Sequence, residues 1–434
     1  MPTPQPSVQQ APAARSLAHH RNFRQLWIGD ALGQFGAQLT GLALPVYAVT
    51  RLQATEWQMG ALSAAETAAF LVIGLPAGAW VDRMRKRRTL IVSDLVRATV
   101  LAVVVTAALT GHGSMPLLYV AGLIISCASV FFDIAHQSYV PGLVGLEHIV
   151  EGNSKLQATQ SVAGVAAPAI GGALLRVLSA PAVIGVTALT YLTSAAFVGR
   201  IRHVEQLPAR EHRRPLRTEI AEGMRFVVHQ PLLRRIVACT SLSNLAGAVG
   251  NALLVLFALR VLGLDSASLG VVFSAGAVGG LAGALLADRL ARVVGEGRVI
   301  PLSALLAGPG FALTPLAAVL PEWVPTQAPL IAGGLLLSFS VVVYNVAQVS
   351  FRQRLCPPAL LGRMNASVRF VVWGTVPIGG LLGGWLGTHL GVLPTMWVAA
   401  AGMVLAALPV VLSPLLGMRD LPRPPADETA SPQV

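Results

Sequence analysis

The sequence predicts an all-α integral membrane protein with twelve transmembrane helices in two similar six-helix halves. The composition is 54% hydrophobic and 12% charged, with a mean hydropathy of +0.67. A soluble domain of this size does not need that much apolar surface, whereas a polytopic membrane protein does. Twelve apolar runs can be counted, each near the ~20 residues needed to cross a ~30 Å hydrocarbon core. In addition, a charged segment near residue 80 recurs about two hundred residues later.

The twelve spans divide around one long polar connection. This connection, 201–235, contains TEIAEGMRFVVHQ, a pattern typical of an amphipathic helix at a membrane surface. We therefore predict one half over 23–200, a cytosolic linker over 201–235 and a second half over 236–416, with disordered tails at 1–22 and 417–434. The predicted spans are 23–49, 57–81, 89–110, 116–140, 156–178, 182–200, 236–262, 268–290, 299–320, 326–350, 367–389 and 393–416.

The basic residues predict the orientation. If both termini are cytosolic, 27 of the 31 lysines and arginines lie in cytosolic segments. The exceptions are Arg51, Arg97, Arg176 and Arg260. Basic segments next to membrane spans remain in the cytosol, so the net charge of +12 reflects orientation and does not indicate a nucleic-acid partner.

Two sequence signatures occur once in each half. GAWVDRMRKRR, which contains Asp82, is followed 206 residues later by GALLADRLARVVGEGR, which contains Asp288. APAIGG, which contains Pro168, and VPIGG, which contains Pro377, are related by an offset of 209 residues. Two echoes at nearly one offset indicate a parallel repeat, an arrangement that in transporters places a substrate site between the halves near the midplane.

The first signature resembles the loop between helices two and three of the major facilitator superfamily, with Arg85 where that family usually has glycine. A glycine lets its helix approach a neighbour closely, and an acid and an arginine at the helix end can pair with another helix. Contacts that form in one conformation and break in another make a latch. The basic cluster alone would equally serve as a signal that only fixes orientation. The predicted latch residues are Gly78, Asp82, Arg83, Arg87, Arg88, Asp288 and Arg289.

A second motif, Gly164, Pro168, Gly171 and Gly172, resembles the helix-five motif of drug:proton antiporters, with alanine in place of the glycine before proline. Ordinary packing of small residues is the alternative explanation. The strings FRQLWIGDALGQFG, VSDLVRA and RQRLCPPALLGRMNASVRF narrow the resemblance to the drug:proton antiporter-3 branch, which includes macrolide-efflux and enterobactin-exporter-like proteins. The resemblance implies the major facilitator fold and a location in the cytoplasmic membrane of a bacterium.

The resemblance also implies that helices 1, 4, 7 and 10 line a central cavity, and these four helices carry polar residues at helical spacing. Polar groups are costly in a membrane and usually face a cavity or another helix. Interhelical hydrogen bonding fits Asn251 and Ser338 nearly as well. The predicted substrate-cavity residues are Asp30, Gln34, Gln38, Ser126, Ser129, Asp133, His136, Thr240, Asn244, Asn251, Ser338, Asn345 and Gln348.

Three carboxylates, Glu66, Asp133 and Asp30, are the predicted proton-coupling residues. Glu66 lies near the middle of helix 2, far from either flank, where a carboxylate can take up and release a proton. Asp133 has a second candidate role as the acceptor for Arg83 in the latch. His136, one turn after Asp133, either relays a proton or hydrogen-bonds to it. Within helix 3, Asp94 and Arg97 are one turn apart and can neutralise each other.

The sequence contains no Walker A, GxSxG or HExxH motif, and its three cysteines lack metal-ligand spacing. We therefore expect no catalytic residues, metal or cofactor, and no enzymatic activity. The partners we predict are a small-molecule substrate, protons and the lipid bilayer, with no nucleic acid, for a monomer. We predict a proton-coupled exporter of a small amphipathic compound (a drug, macrolide or siderophore-like metabolite), and we expect a mainly apolar cavity suited to lipophilic or cationic substrates. A facilitator, importer or lipid flippase is the alternative, and a non-transporting membrane enzyme or sensor is a remote one.

Overall fold

A computed structural model describes residues 17, 20–145, 148–203, 205, 216–357 and 360–419. Across these residues the chain forms helices and connecting turns, and no β-strand occurs among them. The predicted tails lie outside the described residues, apart from a few positions at their inner ends. The helices that correspond to the first half are α1 Arg21–Thr50, α2 Glu56–Val72, α3 Gly74–Asp82, α4 Lys86–Leu109, α5 Met115–Val144, α6 Ile149–Val177 and α7 Ala180–Gly199.

The remaining helices comprise one linker helix and the second set of spans. The linker helix, α8 Leu216–His229, packs against α13. The spans that follow it are α9 Pro231–Leu256 with a π-helical turn at Phe257–Val261, α10 Ser266–Val294, α11 Val299–Leu316, α12 Gln327–Leu355, α13 Leu361–Leu390, α14 Val392–Ala406 and α15 Leu408–Val411.

Among the described residues, ten helices are long and apolar enough to cross a membrane. The two further predicted spans fall short of those criteria for local reasons. Helix α1 is 30 residues long, but its glutamines and glycines lower its hydropathy. The second span is divided into α2 and α3 at Ile73, which has φ −120° and ψ −2°. The cause of this break is Pro76, since a proline cannot donate a backbone hydrogen bond to Val72 four residues earlier.

The two ends of the helix bundle differ in charge. One end, called the basic end, carries residues 83–88, 200–203 and 205; the other is called the opposite end. At the opposite end, Thr55 and Gln58 form a capping box at the start of α2. At the start of α10, the Asp265 carboxylate accepts hydrogen bonds from the Ser268 side chain and, at 2.9 Å, from the Ser268 backbone amide, and both lower the pKa of Asp265.

The two halves touch most closely at the opposite end, through glycines. A Cβ atom on Gly60 of α2 would lie 2.5 Å from the Gly384 Cα of α13, and one on Gly172 of α6 would lie 2.9 Å from the Gly270 Cα of α10. These distances leave no room for a side chain, so the helix backbones are in direct contact there. The helices that join the halves are therefore α2 with α13 and α6 with α10.

The apolar core shows the same asymmetry between the two ends. Toward the opposite end, a single buried cluster joins residues of both halves, from Leu42 and Leu62 to Leu253 and Met403. Toward the basic end one cluster joins first-half residues with Leu17 and Ile201, and a separate cluster contains only second-half residues. The halves are therefore sealed at the opposite end, whereas their buried apolar clusters are separate at the basic end.

We expect Gly60→Ala to disturb this seal. The added methyl group would force α2 away from α13, and overpacking of this kind costs about 1 to 3 kcal/mol. The melting temperature of the purified protein should fall by several degrees. Gly41→Ala in α1 is the matched control, since a Cβ atom there meets nothing within 4 Å. Equal melting temperatures for the two variants would contradict the proposed seal.

Candidate functional site

A cavity with a volume of about 780 Å³ lies mostly within the second half. Its walls come from α9, α11, α12 and α13, and α2 of the first half contributes Ser63 and Thr67. Because α12 ends and α13 begins at the basic end, Arg352 and Asn365 in the lining place that part of the cavity near the basic end. This volume lies within the ~300–1,000 Å³ typical of small-molecule sites.

Five of the predicted cavity residues line this cavity: Thr240, Asn244, Asn251, Asn345 and Gln348. The Asn244 amide donates to the Val372 carbonyl at 3.1 Å, which fixes its orientation. Ser338 lies elsewhere, against Gly276 of α10, where a Cβ atom would be 3.4 Å from its hydroxyl. Ser338 therefore packs against α10 outside this cavity, and the interhelical hydrogen bond that we gave as its alternative role stays a prediction.

Several lining residues were missed in the sequence, above all two arginines. Arg352 and Arg369 line the cavity, together with Tyr344 and Trp373. Both arginines stand at the ends of predicted spans, where the preference of basic residues for the cytosolic side already accounts for them. The sequence does contain a pattern that predicts the position of Arg352. It lies four residues after Gln348 and therefore on the same polar face of α12.

The predicted cavity residues of the first half are absent from the lining of this cavity. Gln38 is exposed and Gln34 is partly buried beside Asp30. The Ser129 hydroxyl donates to the Ile125 carbonyl of its own helix at 2.8 Å, and the buried Ser126 hydroxyl has no hydrogen-bond partner in the part of the chain that the structure describes. The acids Asp30 and Asp133 and the imidazole of His136 belong instead to a group of buried charges.

This group, called the ionic cluster, consists of Asp30, Asp94, Arg97, Asp133 and His136. Arg97 donates to the Asp94 carboxylate at 3.1 Å, with both side chains buried, as the sequence spacing predicted. The second Asp94 oxygen accepts a hydrogen bond from Ser194 of α7 at 2.6 Å. The Arg97 guanidinium also lies 4.6 Å from the centre of the Phe132 ring, which adds a cation–π contact.

The remaining members of the ionic cluster come from α1 and α5. The His136 Nε2 atom lies 3.5 Å from the Asp30 carboxylate. Asp133 feels the attraction of Arg97 and also of Arg369, which belongs to the second half. Three carboxylates thus share one arginine and one histidine, so the cluster has an excess of acid and can hold a proton.

Glu66 stands apart from the ionic cluster. Its side chain in α2 packs against Gly122 of α5, where a Cβ atom would lie 3.1 Å from the Glu66 Cγ. Among the described residues, neither a cation nor a hydrogen-bond donor contacts its carboxylate. A proton on Glu66 would therefore be the main means of removing its charge in a membrane.

The described residues of the predicted latch are not brought together at one place in this conformation. Gly78 faces open space and lines a second cavity of about 290 Å³. Arg83, Asp288 and Arg289 are exposed, and none of the described ion pairs involves them. The side chain of Asp82 is not among those that the structure describes. No described ion pair joins Arg83 to Asp133, whose charged neighbours are those of the ionic cluster and Arg369.

Arg87 of the predicted latch does form contacts, and they involve an acid that the sequence analysis missed. Its guanidinium donates to the carbonyls of Val198, at 3.3 Å, and Gly199, at the C-terminus of α7. Glu205 accepts from the backbone amides of Lys86 and Arg87 at 2.6 and 2.7 Å, at the N-terminus of α4. The positive Arg87 thus lies at the negative C-terminal end of α7, and the negative Glu205 lies at the positive N-terminal end of α4. Together, Arg87 and Glu205 hold α4 against the end of α7.

The predicted exporter motif lies in the contact between the halves. A Cβ atom on Gly171 would lie 2.7 Å from the Leu39 Cδ2 of α1, and Gly172 meets α10 as described above. Pro168 is buried and its carbonyl faces Gly270. Gly164 is less tightly placed, since its nearest neighbour, Ala277, would be 3.9 Å away from a Cβ atom.

Comparison with known proteins places the chain in a family. The family model of transmembrane secretion effectors matches residues 13–434. The chain belongs to this family. The enterobactin exporter EntS of Escherichia coli is 27% identical over 439 residues, covering 96% of this chain and 97% of that protein. EntS of Citrobacter koseri is 26% identical over 434 residues, with the same coverage.

Solved structures of other transporters share the fold of this secretion effector. A bacterial homologue of the iron transporter ferroportin, in an inward-facing state, has a TM-score of 0.72 and 19% identity, covering 91% of this chain and 98% of its own. The nucleoside transporter NupG has a TM-score of 0.72 and 12% identity, covering 90% and 98%. The predicted major facilitator fold is confirmed, and the chain is a multi-pass membrane transporter and not an enzyme.

We expect Arg97→Gln to destabilise the protein by about 3 to 5 kcal/mol, because it leaves buried carboxylates without their cation. Unfolding of the purified protein in detergent measures this loss. The double variant Asp94→Asn with Arg97→Gln should recover part of it, since one of those carboxylates is then neutral. Arg354→Gln, which breaks an exposed pair with Glu296, should cost less than about 1 kcal/mol. A double variant less stable than the Arg97 single variant would contradict this assignment.

We expect Glu205→Ala to lower stability by about 1 to 2 kcal/mol, because two amides at the start of α4 lose their acceptor. Thermal unfolding checks this, with Glu322→Ala at an exposed turn residue as the control. If both alanine variants unfold together with the wild type, Glu205 does not fasten α4.

Proposed function

We propose that this secretion effector is a proton-coupled exporter of a small amphipathic, siderophore-like compound, working by alternating access. The observation that carries the proposal is a cavity of small-molecule size beneath a seal that closes only the opposite end. The full-length similarity to relatives named enterobactin exporters supports export, and it supports siderophore-like chemistry for the substrate.

The orientation we propose places the basic end in the cytosol, in the cytoplasmic membrane of a bacterium, with both termini inside. The positive-inside rule supports this choice, since the basic residues gather at that end. The described conformation is then inward-facing, with the substrate site open to the compartment that supplies the substrate. We further propose halves at 23–200 and 236–416 joined by the linker 201–235, and a monomer as the working unit because one chain supplies both halves and the cavity.

We propose that protons act at Glu66, Asp133 and Asp30. Glu66 lacks a described cationic partner, so a proton there changes the net charge of the span that forms the seal with α13. Asp133 attracts Arg369 across the halves, so its protonation weakens an attraction between them. Protons arriving from outside can thereby shift the equilibrium between inward- and outward-facing states.

The two glycine motifs have proposed roles in the same cycle. Gly171 and Gly172 support close contact of α6 with α1 and α10, which the seal at the opposite end requires. Gly78 faces a cavity in this conformation, so we propose that it makes its close contact only when the basic end shuts. Arg87 then acts within the first half, keeping α4 and α7 together as the half moves.

We expect Glu66→Gln to lower proton-linked transport at least tenfold while the protein remains folded. The assay uses inverted vesicles acidified by respiration, with luminal pH reported by a quenched dye, and adds macrolides, tetracyclines, cationic dyes and catecholate siderophores one at a time. A transported compound should restore fluorescence only when the wild-type protein is present. Asp30→Asn and Asp133→Asn are tested in the same way.

Glu322→Gln, at an exposed turn, is the control and should transport as the wild type does. Unchanged pumping by the Glu66 variant would show that protons act elsewhere. Transport of a compound without any change in luminal pH would contradict proton coupling and favour a facilitator on the same fold.

A further inference from the structure

The charges in the lining of the larger cavity have one sign. Arg352 and Arg369 line it, and its lining in the described part of the chain includes no aspartate or glutamate. The carboxylates that lie deep in the spans belong to the first half, in the ionic cluster and at Glu66, whereas Asp288 of α10 is exposed. The second-half cavity is therefore a positively charged site, in contrast to the lipophilic or cation-binding cavity that the sequence led us to expect.

Arg352 is the cation without a counter-charge. It lies in the last turn of α12, its Nε atom is buried, and that atom has no hydrogen-bond partner among the described residues. No described carboxylate pairs with it. Arg354, two residues further along α12, does have a carboxylate partner, since it donates to Glu296 at 2.6 and 3.1 Å. A partly buried, unpaired guanidinium is costly, and a ligand anion removes that cost.

Arg369 differs from Arg352 because it has competing contacts. Its guanidinium lies 5.9 Å from the centre of the Phe70 ring, and it attracts Asp133 of the first half. It is also the more exposed of the two arginines. Arg369 therefore contributes positive potential at the mouth of the cavity, while Arg352 is left free to bind.

The neighbours of Arg352 describe the rest of the ligand. Gln348, one turn earlier, is buried, and its Oε1 atom has no hydrogen-bond partner among the described residues. An acceptor in that position needs an N–H or O–H from the ligand. Phe311, Val372 and Trp373 supply apolar surface in the same cavity. The lining thus suits an apolar or aromatic body that carries an acid group next to a hydrogen-bond donor.

We propose that the cavity selects amphipathic organic anions, with the Arg352 guanidinium binding the acid group and Gln348 accepting from an adjacent donor. A guanidinium can hold two oxygens of a planar acid at once, which favours carboxylates and similar groups. Two arginines repel a cation of the same shape. This proposal rests on the proposed transport function and names the substrate class of its site.

The test compares three probes that share one aromatic body. They are 3-hydroxy-2-naphthoate, its neutral amide 3-hydroxy-2-naphthamide, and the cation 3-(aminomethyl)naphthalen-2-ol. Equilibrium binding to the purified full-length protein in nanodiscs, without any ion gradient, is read from naphthyl fluorescence. We expect the acid to bind at least tenfold more tightly than the amide, and the amine to bind most weakly.

The variants identify the residue responsible. Arg352→Gln should weaken binding of the acid about tenfold, to the level of the amide, whereas Arg352→Lys should keep a preference for the acid. Arg354→Gln is the matched control, two residues along the same helix and paired outside the cavity, and should bind as the wild type does. If Arg352→Gln does not fold, the wild-type probe series and Arg352→Lys still decide the outcome.

Equal binding of the three probes, preference for the amine, absence of acid binding, or a preference for the acid that survives Arg352→Gln would each overturn the proposal. These results are separable from the proposed function. A protein that prefers the acid but moves no protons in vesicles contradicts only proton-coupled export. Proton-linked transport without any preference for the acid contradicts only the substrate class.

Discussion

A charge inside a membrane has no water to stabilise it, and this constraint organises the interior of the protein. In the first half, Asp94 is satisfied by Arg97 and Ser194, and Asp30 lies beside His136. Two described groups do not follow the rule, since Glu66 has no described cationic partner and Arg352 has no described acid. Buried charges without a partner in the protein are expected at sites where the protein binds a ligand or a proton. Our proposals for the proton and the substrate accordingly include these two residues.

The lipid environment also explains why different kinds of contact hold the helices together at the two ends of the bundle. Lipid provides no hydrophobic driving force between helices, so the seal at the opposite end relies on backbone contact through glycines such as Gly60 and Gly172. Contacts of this kind involve no ion pair, so they can separate without exposing a charge. At the basic end, near water, charged groups such as Arg87 and Glu205 hold helices within one half. This division of contacts suits two rigid halves that rock against each other.

The membrane potential favours both the proposed export of an anion and the proposed entry of a proton. An anion that leaves a negatively charged cytosol gains about 2.3 kcal/mol per charge per 100 mV, and a proton that enters gains the same. The first half carries the carboxylates deep in the spans and the second half carries the arginine cavity, so the proposed proton and substrate sites lie in different halves. Arg369, which lines the cavity and attracts Asp133, is the described charge that links the two.

The sequence by itself determined the helical membrane fold and the polar faces of single helices, because hydropathy and helical periodicity are local properties. It thereby identified Thr240, Asn244 and Gln348, which line the cavity. Only the tertiary structure decided which polar faces share a cavity and which form the ionic cluster, since that depends on how each helix is rotated and packed. It also separated Arg352 from Arg354, two basic residues in one helical turn with different surroundings. Glu205 lies 119 residues from the amide of Lys86 that it caps, and no local pattern predicts a contact over that distance.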